Sequence, residues 1–241
     1  MAEPQNLRFT PEVLREYSDA ALRNAKELLD EASLLYAHGH VARAYFLAVA
    51  SIEETGKALL AFDAQGRNLA DPAVTSKLKR AMEDHPQKIA AAFTAWILAS
   101  PNQREAVMPA VDLMIHLKHG REPSMYTDIR LDSLKVQVPA VVVRTTAAND
   151  CIRLATGCLA HAQKHLAEKT PEPRTHAQDQ LFAMKSVHFQ KIASMADFWW
   201  YYIAQLESGK EDLAEAVIQY QREYLMKGRQ FKQPHAERDD T

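Results

Sequence analysis

Glycine is scarce in this sequence, which contains only 7 glycines among 241 residues. Runs in which Val, Ile or Thr alternate with polar residues are also scarce, so the signals for β-hairpins and exposed strands are weak. Ala, Leu, Glu, Gln and Lys, which favour helices, are abundant instead. Hydrophobic residues make up 47% and charged residues 25%, which is the composition of an ordinary globular protein. We therefore expect an all-α protein.

Cysteine is scarce as well, with two residues in the chain. Cys151 and Cys158 are seven positions apart in a helical pattern, which separates them by two turns, or about 10 Å along the axis. That distance excludes a disulfide between them. We expect both to be small, buried apolar residues of a cytoplasmic protein.

An excess of charge and a long apolar run are both absent. The formal net charge of -2 excludes strong attraction of the whole molecule to nucleic acid or to an anionic membrane. No segment approaches the roughly 18 apolar residues of a membrane span, and the first residues lack an apolar signal core. We expect a cytoplasmic protein without a membrane partner, in which nucleic acid would bind only at local patches.

Apolar residues at helical spacing predict two long helices at the start of the chain. Thr10, Pro11 and Glu12 form a helix start, and Gly39 should end that first helix. A second helix is expected from about Val41 to Ala64. Because the turn between them is short, the two helices should be antiparallel neighbours.

More helices are expected in the middle of the chain. A short basic helix should break before Pro86, because the residue preceding a proline disfavours the α conformation, and His85 should lie at a helix start. Helices are then predicted from about Pro86 to Ala99, within residues 103–120, and from about Pro139 to Glu168, after an irregular polar stretch. The β-branched start of the last helix is compatible with a short extended segment instead.

The stretch KTPEPRTH is the best linker candidate, because it has two prolines and no apolar residue. Two more helical segments follow it, and the charged end of the chain should be disordered. The predicted organisation is, in order, an N-terminal arm (1–12), a helical domain (13–168), a linker (169–176), a C-terminal helical hairpin as an extension (177–228) and a tail (229–241).

Three charges interrupt the apolar second helix: Glu53, Glu54 and Lys57. On a helical wheel, Arg43, Glu54 and Lys57 fall within about 60° of one another and Glu53 lies beside them. These spacings are those of ion pairs on a solvated edge. They are equally those of partly buried charges that face a functional site. Spacing alone does not separate the two interpretations.

The segment HGHVARAYFLAVASIEETGKALL, followed by HPQK and then by LKHGREPSMYTD, resembles the HEPN domain of the AbiV-type abortive-infection proteins of bacteria. That family shows a Glu-Glu-x-x-Lys-Ala pattern, a His-x-x-Lys and then a Lys followed by a Tyr-x-Asp loop. The resemblance covers roughly residues 13 to 168. It implies a HEPN-like helical bundle that dimerises, and an effector that arrests the growth of phage-infected cells in response to a phage-encoded activator.

The resemblance also implies a chemistry, because many HEPN domains are metal-independent endoribonucleases with an Arg-x(4 to 6)-His motif. In such a reaction the His exchanges a proton with the ribose 2′-OH or the leaving oxygen, and Arg or Lys stabilises the charged phosphorane. Arg80 with His85 fits this spacing, and Arg229 with His235 fits it too. Chance alone predicts about two such matches in this composition.

A second position for the motif lies on the later helix, where Arg144 is followed five residues on by Asn149. An Asn binds a phosphate or a base but does not act as a general base. If this is the family position, the ribonuclease motif is degenerate here.

We predict that Glu54 and Lys57 face His85 and Lys88 across a groove, with the lysines binding phosphate and a carboxylate or His85 moving the proton. The predicted catalytic residues are Glu54, Lys57, Arg80, His85 and Lys88. The predicted residues for binding RNA or phosphate are Arg43, Glu53, Lys118, Tyr126, Asp128, Arg144 and Asn149.

Other features favour packing over chemistry. His161 and His165 have the i,i+4 spacing of metal ligands but lack a third ligand, so we expect no metal and no cofactor. The aromatic run from Phe198 to Tyr202 is more typical of core or dimer packing than of base stacking.

Two functions are therefore predicted. The first is a homodimeric phage-defence effector that acts on RNA or the translation machinery. The alternative is a non-catalytic binding or sensor module that acts through protein partners.

Overall fold

The computed structural model describes residues 9–99 and 124–231. Within those residues the chain is mainly helical and one antiparallel hairpin is the only sheet, so the all-α prediction is confirmed. The elements are α1 (Pro11–Ala37), α2 (Val41–Ala64), α3 (Pro72–Glu83), α4 (His85–Ala99), β1 (Asp128–Arg130), β2 (Lys135–Gln137), α5 (Pro139–Val142), α6 (Thr145–Glu168), α7 (His176–Ala183), α8 (Ser186–Ala193), α9 (Ala196–Glu207) and α10 (Leu213–Tyr220), with a π-helical turn at Gln221–Leu225.

The start and end of α1 follow the sequence signals. The Thr10 hydroxyl accepts a hydrogen bond from the Val13 N–H at 3.3 Å, and Pro11 is the first helical residue. After the helix ends at Ala37, Gly39 adopts a φ of +80°, which a residue with a Cβ atom rarely does. The chain then enters α2 at Val41, as predicted.

Two buried serines join α1 to α2. Ser18 Oγ donates to the Ala58 carbonyl at 2.8 Å, and Ser51 Oγ donates to the Ala25 carbonyl at 2.7 Å. The residue numbers of these contacts rise along α1 as they fall along α2. The two helices are therefore antiparallel, as their short connection predicts.

A hydrophobic core holds α1, α2, α4 and α6 together. Its members include Tyr45, Ile52 and Phe93 together with Cys151 and Cys158, which are free and fully buried. Burial raises the pKa of the Cys158 thiol to about 12 and raises the pKa of the Cys151 thiol even further. The cysteines are thus buried apolar residues, as expected from their spacing.

The described chain divides into two compact units. The first contains residues 9–66, 78–99 and 124–172, and the second contains residues 67–77 and 173–231. The division after residue 172 falls within the predicted linker. The predicted first domain, residues 13–168, includes residues 67–77, which belong to the second unit. A sequence pattern does not reveal this, because membership of a unit depends on contacts between residues distant in the chain.

An ion pair buried in the second unit accounts for residues 67–77 belonging to it. Asp179 Oδ1 accepts a hydrogen bond from Arg67 Nη1 at 3.0 Å, and Oδ2 accepts one from the Asn68 N–H at 2.8 Å. The Arg67 guanidinium also lies 3.9 Å above the ring of Phe182.

The C-terminal extension is helical, as predicted, but contains four short helices and a π-helical turn. Extended backbone at Met184 and Met195 separates the first three helices, although no Gly or Pro marks either break. Phe198 and Tyr201 pack into the core of this unit with Tyr220, whereas Trp199 and Trp200 are nearly half-exposed.

The segment predicted to be irregular contains the hairpin of β1 and β2, in which Ile129 pairs with Val136. The helix predicted from Pro139 is interrupted, because Val143 and Arg144 are extended between α5 and α6. The helix predicted within residues 103–120 lies outside the described residues, as do residues 1–8 and 232–241. Among the residues that are described, no helix has the length and apolarity to cross a membrane.

Candidate functional site

Glu53, on α2, is a buried carboxylate that binds two side chains of α4. Its Oε2 accepts a hydrogen bond from Lys88 Nζ at 2.9 Å and lies 2.7 Å from His85 Nδ1. The side chains of Glu53 and Lys88 are only 6% and 5% exposed, whereas that of His85 is 49% exposed. One carboxylate oxygen therefore holds both a buried lysine and a histidine that reaches solvent. We call Glu53, His85 and Lys88 the carboxylate cluster.

The first turn of α4 presents His85 and Lys88 to Glu53. Asp84 caps this helix: its Oδ1 accepts from the Gln87 N–H at 2.8 Å and its carbonyl accepts from the Lys88 N–H at 3.1 Å. The helix begins at His85, as the proline at the next position predicts. Residues three apart share a face of a helix, so both side chains reach α2.

Gly56 brings the two helices together at this point, although it was not among the predicted functional residues. A Cβ atom at position 56 would lie 1.8 Å from the Lys88 carbonyl oxygen. Only a residue without a side chain permits this approach. The available signal was a glycine in the interior of a long helix, which costs about 1 kcal/mol relative to Ala and therefore usually has a packing reason.

Glu54 and Lys57 form a separate ion pair beside the carboxylate cluster. Lys57 Nζ lies 2.5 Å from Glu54 Oε1, and the Lys57 side chain is 22% exposed. Burial lowers the pKa of Lys57, but the hydrogen bond and charge of Glu54, with the nearby Tyr17 and Glu53, outweigh it and raise the pKa above its usual value.

The carboxylate that contacts α4 is thus Glu53, one position away from the predicted Glu54. At 100° per residue, adjacent positions point in clearly different directions, and only the position of α4 decides which of them meets His85.

Tyr17, on α1, lies at the other side of the charged stripe and carried no signal in the sequence. Its neighbour Ser18 is bonded to the Ala58 carbonyl, next to Lys57 in the chain. Burial raises the pKa of the Tyr17 phenol, the charge of Lys57 lowers it, and the charge of Glu54 raises it. The charged stripe of α2 therefore lies between α1 and α4.

The remaining predicted residues lie on the surface or outside the described part of the chain. Arg80 is exposed in the last turn of α3, five residues before His85. Asp128 begins β1, where its Oδ1 accepts from the Ile129 N–H at 2.7 Å. The other exposed candidates are Arg43, Tyr126, Arg144 and Asn149. Lys118 is outside the described residues.

The two histidines considered as metal ligands are neighbours on α6, with ring centroids 5.8 Å apart. His165 also packs edge-on against Phe62, with ring centroids 5.4 Å apart. Across residues 9–99 and 124–231, no three His, Cys, Asp or Glu side chains assemble into a group that could hold a metal ion.

A helical bundle with a Glu-Glu-x-Gly-Lys helix packed against a His-x-x-Lys helix start has the architecture implied by the resemblance to HEPN domains. The family model for HEPN domains of the AbiV type, described as AbiV, matches residues 13–160, which is more than half of the chain. The chain therefore belongs to the AbiV family, as predicted. No curated protein and no solved structure gives a significant match.

Proposed function

We propose that this AbiV-family chain is a bacterial phage-defence effector that arrests growth by acting on RNA or the translation machinery, as a metal-independent endoribonuclease. The observation that supports this best is the 2.7 Å contact between the half-exposed His85 and the buried Glu53. A buried carboxylate bonded to one nitrogen of an accessible imidazole is the arrangement that orients a histidine for proton transfer.

The proposed reaction is attack of a ribose 2′-oxygen on the adjacent phosphorus. The 2′-O–P bond forms while the bond from phosphorus to the leaving 5′-oxygen breaks. A proton moves from the 2′-OH to His85, and the leaving 5′-oxygen takes a proton from solvent water, which yields a 2′,3′-cyclic phosphate and a 5′-hydroxyl. Such proton transfer typically contributes about 10²–10⁴ to the rate. Lys57, at the exposed side of the charged stripe, and Arg80, exposed near His85 in sequence, are the proposed partners of the phosphate charge.

In the proposed function the chain has two partners, both implied by family membership. The effector acts as a homodimer, and a phage-encoded protein activates it in infected cells. With a net charge of -2, RNA binding relies on local cationic side chains such as Lys57 and Arg80.

Cleavage of total bacterial RNA in EDTA tests the nuclease proposal. Wild-type protein, His85→Ala and His161→Ala are each purified from uninfected and from phage-infected cells and compared. His161, on α6, is the matched control because it is a histidine of the same unit. We expect the first substitution to reduce cleavage by about 10²-fold or more and the second to leave it unchanged. Equal cleavage by all three proteins, or none by wild type from either source, would rule the nuclease out.

A non-catalytic binding module is the second candidate. It is favoured by the pair Arg144 and Asn149, which would be a degenerate ribonuclease motif if this pair, and not Arg80 with His85, holds the family position. In that function the carboxylate cluster only fixes α4 on α2, and the exposed Trp200 belongs to a surface that binds a protein partner. The phage resistance of cells that carry each variant distinguishes the binding module from the nuclease. Resistance that survives His85→Ala and is lost in Trp200→Ala would favour the binding module, and the opposite result would favour the nuclease.

A further inference from the structure

We propose that Glu53 is a positioning residue that holds His85 as the Nδ1–H tautomer, which makes Nε2 the nitrogen that exchanges the proton. Lys88 is the counter-ion of Glu53 in this arrangement and does not bind phosphate. The role given to Nε2 rests on the proposed ribonuclease function, whereas the tautomer is a property of the fold alone.

The tautomer follows from the three distances within the carboxylate cluster. Glu53 Oε2 lies 2.7 Å from His85 Nδ1 and 2.9 Å from Lys88 Nζ, and Lys88 Nζ lies 3.1 Å from His85 Nδ1. An ammonium group only donates hydrogen bonds and a carboxylate oxygen only accepts them. Lys88 therefore donates to Glu53, and the proton on the imidazole decides whether the 2.7 Å contact is attractive.

The two neutral forms of His85 differ at this contact. In the Nε2–H form, the lone pair of Nδ1 would face a carboxylate oxygen at 2.7 Å, and two acceptors would repel each other. In the Nδ1–H form the same distance is a short charge-assisted hydrogen bond from Nδ1 to Oε2. The Lys88 ammonium, 3.1 Å from Nδ1, would by itself favour a lone pair on Nδ1. That contact is the longest of the three, and Lys88 already donates to Oε2 at 2.9 Å, so the 2.7 Å contact with the carboxylate decides the form. The geometry therefore selects the Nδ1–H form and leaves the ring lone pair on Nε2.

Lys88 is committed to Glu53 by its burial. Its side chain is 5% exposed, and its backbone carbonyl packs directly on Gly56. A buried carboxylate needs a compensating charge, which the ammonium supplies at 2.9 Å. At 5% exposure, the Lys88 side chain presents almost no surface to a phosphate in solvent. Of the two lysines predicted to bind phosphate, Lys57, which is 22% exposed, therefore keeps that role and Lys88 does not.

The tautomer is measured directly by the ¹⁵N chemical shifts of His85 in uniformly labelled full-length protein, at a pH where the ring is neutral. The resonances are assigned by their loss in His85→Gln. We expect a protonated, pyrrole-type Nδ1 and a pyridine-type Nε2. A pyridine-type Nδ1 in the wild type would overturn the inference, whether or not the protein cleaves RNA.

Glu53→Gln tests the positioning role of Glu53. Glu54→Gln, at the next position of α2, is the matched control. We expect Glu53→Gln to shift His85 toward a mixture of tautomers and to lower the cleavage rate by about 10²-fold with little change in KM. Glu54→Gln should leave the ¹⁵N shifts unchanged. Retention of the wild-type tautomer in folded Glu53→Gln would contradict the role of Glu53; if that variant does not fold, the wild-type spectrum still decides the tautomer.

RNA binding tests which of the two lysines, Lys57 or Lys88, contacts phosphate. The protein is titrated with a short single-stranded RNA that lacks the reactive 2′-OH. We expect Lys57→Met to weaken binding several-fold. Weaker binding by a Lys88→Met variant that retains the wild-type fold would overturn the role of Lys88. An Nδ1–H tautomer in a protein that cleaves no RNA would reject the proposed function and leave the tautomer assignment intact.

Discussion

Gly56 of α2 lies against the Lys88 carbonyl of α4 so closely that a Cβ atom at position 56 would be 1.8 Å from that oxygen. Glu53 precedes Gly56 by three residues, so it lies on the same side of α2 about one turn earlier. The close approach of the two backbones therefore sets the distance from Glu53 to the first turn of α4. A position without a side chain determines where three charged side chains meet.

Gly56→Ala is expected to destabilise the protein even though Ala is the better helix former. A methyl group cannot occupy space 1.8 Å from a backbone oxygen, so α4 must move, at a cost of about 1–3 kcal/mol or more. The free energy of unfolding in urea measures the loss. The control is Gly157→Ala on α6, where the added Cβ would lie 3.1 Å from the Trp96 side chain. A loss at Gly56 no larger than at Gly157 would contradict the close approach.

Glu53→Ala and Glu54→Ala should differ strongly although the two residues are adjacent. Removing Glu53 leaves the ammonium of Lys88 buried without its counter-ion, which typically costs about 3–5 kcal/mol. Removing Glu54 breaks a more exposed i,i+3 pair and should cost about 1 kcal/mol or less. Urea unfolding of both variants provides the comparison, and equal losses would show that Glu53 is not the buried partner.

Cys151 and Cys158 should be chemically inert in the folded protein. Burial raises the pKa of both thiols, that of Cys158 to about 12, so the reactive thiolate is very scarce at pH 8. We expect iodoacetamide to modify neither residue in native protein and both in concentrated guanidinium chloride, as followed by mass spectrometry. Rapid labelling of either cysteine without denaturant would be inconsistent with their burial.

His161 should make the stability depend on pH below neutrality. Burial lowers its pKa below the usual 6.5, and the charges of His165 and Lys164 lower it further. The unfolded state then binds the proton more readily, so this contribution to stability is intact above about pH 6.5 and is lost as the pH falls toward the folded pKa. Unfolding free energies of His161→Gln should decline less over this range than those of wild type. His188→Gln, which removes an exposed histidine of α8, serves as the control, and identical pH dependence in all three proteins would refute the role of His161.

The helices of the first unit were largely predictable because their signals are local. A capping threonine with a following proline, a glycine in the left-handed region and a proline after His85 each act within a few residues of the chain. The charged stripe of α2 was visible for the same reason, because a helical wheel needs only the period of the helix. The family resemblance, predicted over roughly residues 13–168 from the EETGK, HPQK and LKHGREPSMYTD segments, agrees with the family match over residues 13–160.

Features that depend on distant contacts were not predictable. The first C-terminal segment was predicted as one helical segment, yet it breaks at Met184 and Met195, both of which pack against the cluster that contains Ile192 and Phe198. The hairpin at Asp128–Gln137 is a local feature, but it was not predicted because its strands are short and its turn contains no glycine. Its turn instead places Leu134 at a φ of +50°, a conformation that Leu rarely adopts.

The residue pattern was enough to predict an all-α protein of the AbiV family and a narrow stripe of charges on an apolar helix. The packing of α4 on α2 is what makes Glu53, and not Glu54, meet His85 and Lys88, and what buries Lys88 as its counter-ion. The helical period fixes which residues share a face, whereas the partner of that face depends on where another helix packs. Here Gly56 allows α4 to come close enough for the charges to meet.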